Sequence, residues 1–264
     1  MPFLHSRFNI GSYSDICRTC KTRIFKECNA GVLPDGFRRQ RLLLATDGSE
    51  FSHAPEDIAI DLARHFGVTL DIMTMVETTD DEEIACARLA QAQHKALLAG
   101  VDSEPLIRYG RQPVEQVVTA AHDADTNILV IGRRPPRGGV KERLVGDVAQ
   151  QIILDSPCHV LVANWQARPW KQRILITTDG WPISVTIVEI AAQVAKAAKL
   201  PVTVLSAATT DAERVKAEED VAEKIALLRL EGIECEARIV AGKPPAEAII
   251  DTAREICADL VVIG

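Results

Sequence analysis

The stretch RLLLATDGSE, residues 41–50, returns as RILITTDGWP at residues 173–182, an offset of 132. Two further anchors keep that offset: Gly110 in YGRQPVEQVV against Gly242 in AGKPPAEAII, and NILVIG ending at Gly132 against DLVVIG ending at Gly264. Chance likeness between short apolar runs does not hold one register over three separated places, so the chain reads as a duplicated unit of about 130 residues.

In the first copy, runs at 42–46, 68–76, 102–108, 127–131 and 158–163 are short, β-branched or Leu-rich and bounded by turn residues, which predicts strands. Between them, 51–66, 81–99, 113–124 and 146–155 carry apolar residues at helical spacing, as in Ile84, Leu89, Ala92 and Ala96. Pro113 suits a first-turn position, where a missing N–H costs nothing. Strand and helix alternate, which implies right-handed crossovers and a parallel sheet covered on both faces. The expectation is an α/β fold of two doubly wound parallel-sheet domains, strand order 3-2-1-4-5, at 41–166 and 173–264.

The second copy repeats the pattern, with helices near 184–199, 210–231 and 245–257, and stops at Gly264. It is expected to lack its last helix and strand, which would leave an apolar face and a strand edge to be covered. Residues 1–40 read as a poorly ordered extension. Trp165, Trp170 and Trp181 bracket the junction QARPWKQ and are expected to pack the two units together.

Composition narrows the function. The first 40 residues hold seven Lys/Arg against three Asp/Glu, and the remaining 224 hold 23 against 34, a net charge of -11. So acidic a body is a poor general binder of nucleic acid. The longest apolar runs fall far short of the roughly 20 residues that cross a bilayer, and MPFLHSRFNIGSYSD carries no sustained apolar block of a secretory signal. The expected location is the cytoplasm. Seven scattered cysteines agree with reduced thiols. Cys17, Cys20 and Cys28 offer a C-x2-C pair and a third thiol, enough for a zinc or redox reading of the extension. Six histidines lack H-E-x-x-H spacing and no serine lies in G-x-S-x-G, so hydrolase machinery is unsupported.

In an open doubly wound sheet, ligands bind where strand order reverses, here between strands 1 and 4 of the unit. Strand 1 runs into Asp47, Gly48 and Ser49. Strand 4 runs into Gly132 and the loop RRPPRGGVKERLVGD. A carboxylate on the first loop accepts hydrogen bonds from a ribose or an adenine amine, or alternatively caps its own turn. Backbone N–H groups where the second loop enters a helix near Gly146 suit phosphate.

LLLATDGSE, NILVIG, the downstream glycine loop and the closing PCHVLV together resemble the universal stress protein family, over residues 41–164 and 173–264. The resemblance implies a five-stranded parallel sheet of adenine nucleotide alpha hydrolase type, pairing of units through their final strands as an intramolecular pseudo-dimer or a homodimer, and ATP or a related adenine nucleotide in the first unit. It points to Val76 beside the adenine and to Gly132 and Gly146 beside the phosphates, with Asp147 at the hydroxyl position; Asp47, from its place at the switch point, and Arg133 and Arg134, from their charge, complete the candidate cofactor-binding set. The family loop is Gly, two residues, Gly, nine residues, Gly, then Ser or Thr. This sequence departs from it: 13 residues separate Gly132 from Gly146, proline 135 or 136 stands for the middle glycine, and Asp147 stands for the hydroxyl residue. Proline offers no N–H and Asp147 adds repulsion, whereas Arg133, Arg134, Arg137, Lys141 and Arg143 supply compensating cations. The second copy matches Asp47 with Asp179 but has no phosphate loop after Gly264.

The resulting expectation is a stress-response protein, non-catalytic or weakly ATP-hydrolysing, with a nucleotide site that acts as a switch. Its alternatives are a nucleotide-free zinc- or redox-responsive module and an ATP-using enzyme.

Overall fold

Residues 24–26, 41–135, 147–179 and 184–263 are described by a computed structural model. The chain forms strands β1 (Ile24–Lys26), β2 (Leu42–Ala45), β3 (Leu70–Val76), β4 (Ser103–Tyr109), β5 (Ile128–Arg133), β6 (His159–Asn164), β7 (Ile174–Thr178), β8 (Val202–Ala208), β9 (Cys235–Ala241) and β10 (Leu260–Val262). The helices are α1 (His53–Phe66), α2 (Glu82–Leu98), α3 (Pro113–Asp123), α4 (Asp147–Asp155), α5 (Ser184–Ala198), α6 (Asp211–Leu230) and α7 (Pro245–Glu255). All ten strands join one sheet in the order β4-β3-β2-β5-β6-β1-β10-β7-β8-β9.

The first unit, β4-β3-β2-β5-β6, has the predicted order 3-2-1-4-5 and is parallel throughout. The second contributes β9-β8-β7-β10, again parallel. The duplication survives at the level of register: Leu70 pairs with Ser103 and Val202 with Cys235, both members displaced by 132. The helices start and stop where local chemistry dictates. Gly67, at φ 64°, closes α1 with its N–H on the carbonyls of Ala63 and Arg64, a left-handed turn that glycine adopts without strain. Thr210 and Glu213 cap α6 reciprocally, Glu213 N–H to Thr210 Oγ1 at 3.2 Å and Thr210 N–H to Glu213 Oε2 at 3.3 Å.

Alternate residues of each strand serve opposite faces. Leu42 and Leu44 face α1 and α2, in a core that continues without a break through Ile174, Ile176 and Val204 to α5 and α6. Leu43, Leu129 and Ile131 face α3 and α4. Leu175, Leu205 and Val261 face α7. One face is therefore shared by both units, with α1 packed on α5 across the junction. Trp170 packs on that shared core; Trp165 instead stands at the end of β6, and Trp181 is outside the described residues.

The bare edge expected beside β10 is filled. Ile24–Lys26 runs parallel to β10 and antiparallel to β6, between the two units. Extended chain from within the first 40 residues thus supplies partners to backbone groups on two strand edges. The rest of 1–40, with Cys17, Cys20 and Cys28, lies outside the described residues.

Candidate functional site

After β2 the chain leaves the sheet through Thr46, Asp47, Gly48 and Ser49. The Thr46 N–H still reaches Met73 O on β3 at 2.9 Å. Its Oγ1 accepts the Gly48 N–H at 3.1 Å and donates to Glu56 Oε1 at 3.0 Å. Glu56, on α1, is buried at 4% exposure, and Lys95 of α2 meets its other oxygen at 2.6 Å. This carboxylate is buried because it is paired, and the pairing ties the loop to both helices. Gly48 sits at φ 62°, and a Cβ there would fall within 2.9 Å of three Arg88 side-chain carbons.

Asp47 is thereby held at the carboxyl end of β2. One carboxylate oxygen accepts the Ser49 N–H at 2.9 Å and the Ser52 hydroxyl; the other accepts the Arg134 guanidinium. Burial alone would raise the Asp47 carboxyl, but hydrogen bonds from Arg134, Ser52 and Ser49 outweigh it and hold the group far below the usual carboxylate range. Arg134 is the first residue beyond β5, whose Ile131 pairs with Ala45 of β2. From these adjacent strands the chain departs to opposite faces, β2 to α1 and β5 toward α4. That divergence opens the crevice at the switch point, and the Asp47–Arg134 ion pair spans it.

Of the other sequence-predicted residues, Gly132 and Arg133 belong to β5, which extends two residues past the expected end and pairs with Ala163 and Asn164. Gly132 also has a packing reason: a Cβ would lie 2.9 Å from Pro55 Cγ in α1. Val76 closes β3, buried, its carbonyl accepting the Gly110 N–H at 2.9 Å. Asp147 begins α4. Gly146 and most of the cationic loop, 136–146, lie outside the described residues. Cys158 is a buried thiol 3.3 Å from Ser156 Oγ, as its position before the last strand of the first unit leads one to expect.

Sequence reasoning missed Glu56, Lys95 and Phe51, and gave Trp165 a different contact, the junction between the units. Glu56 carried a signal, being a charge on the apolar face of a predicted helix. Phe51 and Trp165 meet edge to face, centroids 6.0 Å apart, and the Trp165 N–H donates to Arg133 O at 3.2 Å. The pair links the loop after β2 to the end of β6 along one flank of the crevice.

In the second unit Asp179 follows β7 and is exposed. Thr178, the counterpart of Thr46, donates to Asp220, which Lys224 approaches at 3.3 Å with its side chain almost wholly buried. Asp220 stands where the first unit has Arg88, so the buried carboxylate has moved from the first helix to the second. Gly264 lies outside the described residues. Among the described residues, no group of three His, Cys, Asp or Glu side chains is placed to hold a metal, and no helix is long and apolar enough to cross a membrane.

Comparison with solved structures finds the two-unit architecture in a universal stress protein from Archaeoglobus fulgidus DSM 4304 (20% identity over 86% of this chain and 88% of that one, TM-score 0.71). It is found again in a putative universal stress protein from Pseudomonas aeruginosa UCBPP-PA14 (18% identity, 86% and 82%, TM-score 0.63). A universal stress protein in complex with cAMP matches one unit at 27% identity, over 48% of this chain and 98% of that one, with a TM-score of 0.42. No curated protein matches. The model of the Universal stress protein family matches twice, at residues 38–164 and 171–264, the two halves that the repeat, the strand order and the register already define, and the chain belongs to that family as a tandem of two such units.

Proposed function

We propose that the crevice between β2 and β5 binds an adenine nucleotide and works as a binding switch rather than as an enzyme. Asp47 carries the reading. It is an ionised carboxylate fixed by its own loop at the topological switch point, oriented to accept hydrogen bonds from a ribose hydroxyl or an adenine amino group. Arg134, which holds Asp47 when no ligand is bound, passes to the phosphates when one arrives.

Magnitudes favour that exchange. Asp47 and Arg134 side chains are 40% and 53% exposed, and an ion pair so solvated contributes at most about 1 kcal/mol. A ligand bound at 1 μM releases about 8 kcal/mol, so breaking the pair is a small toll. Catalysis is disfavoured because a carboxyl held far below its usual range is a poor general base near neutral pH. The Asp47–Arg134 contact also suits a second reading, in which the pair closes the crevice and no nucleotide enters.

Titration calorimetry with ATP, AMP and GTP separates the two. ATP and AMP are expected to bind the parent, and Asp47→Ala to bind them at least about tenfold more weakly, the worth of one charge-assisted hydrogen bond. Equal binding by Asp47→Ala overturns the assignment. An absence of binding by the parent that Arg134→Ala relieves selects the closed crevice.

A further inference from the structure

Arg88 of α2 lies along the turn that presents Asp47. A Cβ on Gly48 would fall 2.5 Å from Arg88 Cγ and 2.7 Å from its Cδ, so the turn admits the arginine stem only because position 48 is glycine. The left-handed φ of 62° at Gly48 costs that residue nothing. The stem is thus seated against the loop, while the side chain as a whole is exposed and its guanidinium stands at the rim.

That charge has no counterion. Its neighbours three and four residues away on the helix are Ile84, Ala85, Gln91 and Ala92, none of them acidic. Among the described residues Arg88 makes no ion pair and no side-chain hydrogen bond.

The duplication gives the reason. Displaced by 132, Arg88 becomes Asp220, which accepts the Thr178 hydroxyl and meets Lys224 at 3.3 Å. In the second unit this helix position therefore tethers the end of β7. In the first unit α1 performs the same task through Glu56, which accepts the Thr46 hydroxyl at 3.0 Å, and the counterpart of Glu56 in the second unit is the apolar Val188. Position 88 is released from tethering and carries the opposite charge.

Topology sets the direction from which it acts. Helix α2 packs on β3 and β4, so Arg88 reaches Gly48 from the β3 side of β2, whereas Arg134 reaches Asp47 from the β5 side. The strands that flank β2 are about 10 Å apart, and Asp47 lies between the two cations. A ribose bonded to Asp47 directs its 5′ substituent one way and its 2′ and 3′ substituents the other. With the 5′-phosphate on Arg134, a phosphate on the 2′ or 3′ oxygen falls to Arg88. A phosphate also engages an exposed guanidinium more strongly than the face of a base does, through two parallel hydrogen bonds.

We infer that Arg88 is an anion contact of the crevice, and that the ligand of this site is an adenine nucleotide phosphorylated on the ribose 2′ or 3′ oxygen as well as at 5′. The inference rests on the nucleotide reading above and narrows it.

Titration calorimetry of the full chain with AMP, adenosine 3′,5′-bisphosphate and adenosine 2′,5′-bisphosphate tests it. The parent is expected to bind one of the bisphosphates at least about tenfold more tightly than AMP, the worth of one charge-assisted hydrogen bond. Arg88→Met keeps a stem over Gly48 and loses the charge; the preference, taken as the ratio of affinities within each protein, is expected to vanish. Arg88→Lys, which keeps a cation, is expected to retain part of it, and added salt to shrink it. AMP bound by the parent with no preference for either bisphosphate overturns this inference and leaves the nucleotide reading standing. A preference that survives Arg88→Met overturns the role of Arg88. If none of the three ligands binds the parent, the nucleotide reading falls and this inference with it.

Discussion

Glu56 occupies a place where helical periodicity asks for an apolar residue, and its burial is tolerable only because Thr46 donates to one oxygen and Lys95 to the other. Glu56→Ala would leave Thr46 without its acceptor and Lys95 beside an empty space. Lys95 keeps 27% of its side chain exposed and can turn to water, which limits the loss to about 2 kcal/mol, below the range for a fully buried broken pair. Urea midpoints of parent and variant check the figure. His159, at the start of β6, gives a pH dependence of a different kind. Burial pushes its imidazole down to about 4, against about 6.5 in an unfolded chain. The unfolded state binds the proton first, so His159 weakens the fold progressively as pH falls from 6.5 to 4, by up to about 3 kcal/mol. His159→Gln is expected to flatten this slope in denaturant unfolding at pH 7.5 and 4.5. The depressed Asp47 carboxyl acts in a lower window: its stabilisation is whole above about pH 4 and is lost on further acidification.

Among elements, the contact between β5 and α1 sets the shape of the crevice. Gly132→Ala would bring a methyl group to 2.9 Å from Pro55 Cγ, and the rigid proline ring cannot rotate away. The helix must shift, at about 1–3 kcal/mol, and the nucleotide affinity proposed above should fall with thermal stability; a variant as stable as the parent would show that α1 yields freely. The elements themselves were legible from sequence. Strand and helix periods differ, the duplication supplied every assignment up to the fourth strand twice, and the helix expected at 113–124 runs from Pro113 to Asp123. The end of β5 was not legible, because Gly132 and Arg133 extend the ladder without an apolar signal. Asp47 could be located, since a DG turn after a parallel strand is a local signature. Its Arg134 partner was one of five cations in a loop, and which of them reaches back depends on a tertiary distance. Ile24–Lys26 could not be assigned to a sheet, for three residues carry no period and their edges come from strands far away in sequence.

At the scale of the whole molecule, the two units are not independent modules on a linker. The core on the α1, α2, α5 and α6 face is continuous, and Leu42, Leu44, Ile174 and Ile176 within it are wholly buried. Loss of packing in one unit is therefore transmitted to the other through α1 against α5 and through the strand between β6 and β10. Ile176→Ala, in the second unit, removes buried methylenes worth about 2–5 kcal/mol. If the units fold as one body, calorimetry will show a single transition displaced to lower temperature, and hydrogen exchange in α3 of the first unit will quicken in proportion. Were the units separable, the first would keep its own transition and α3 its protection.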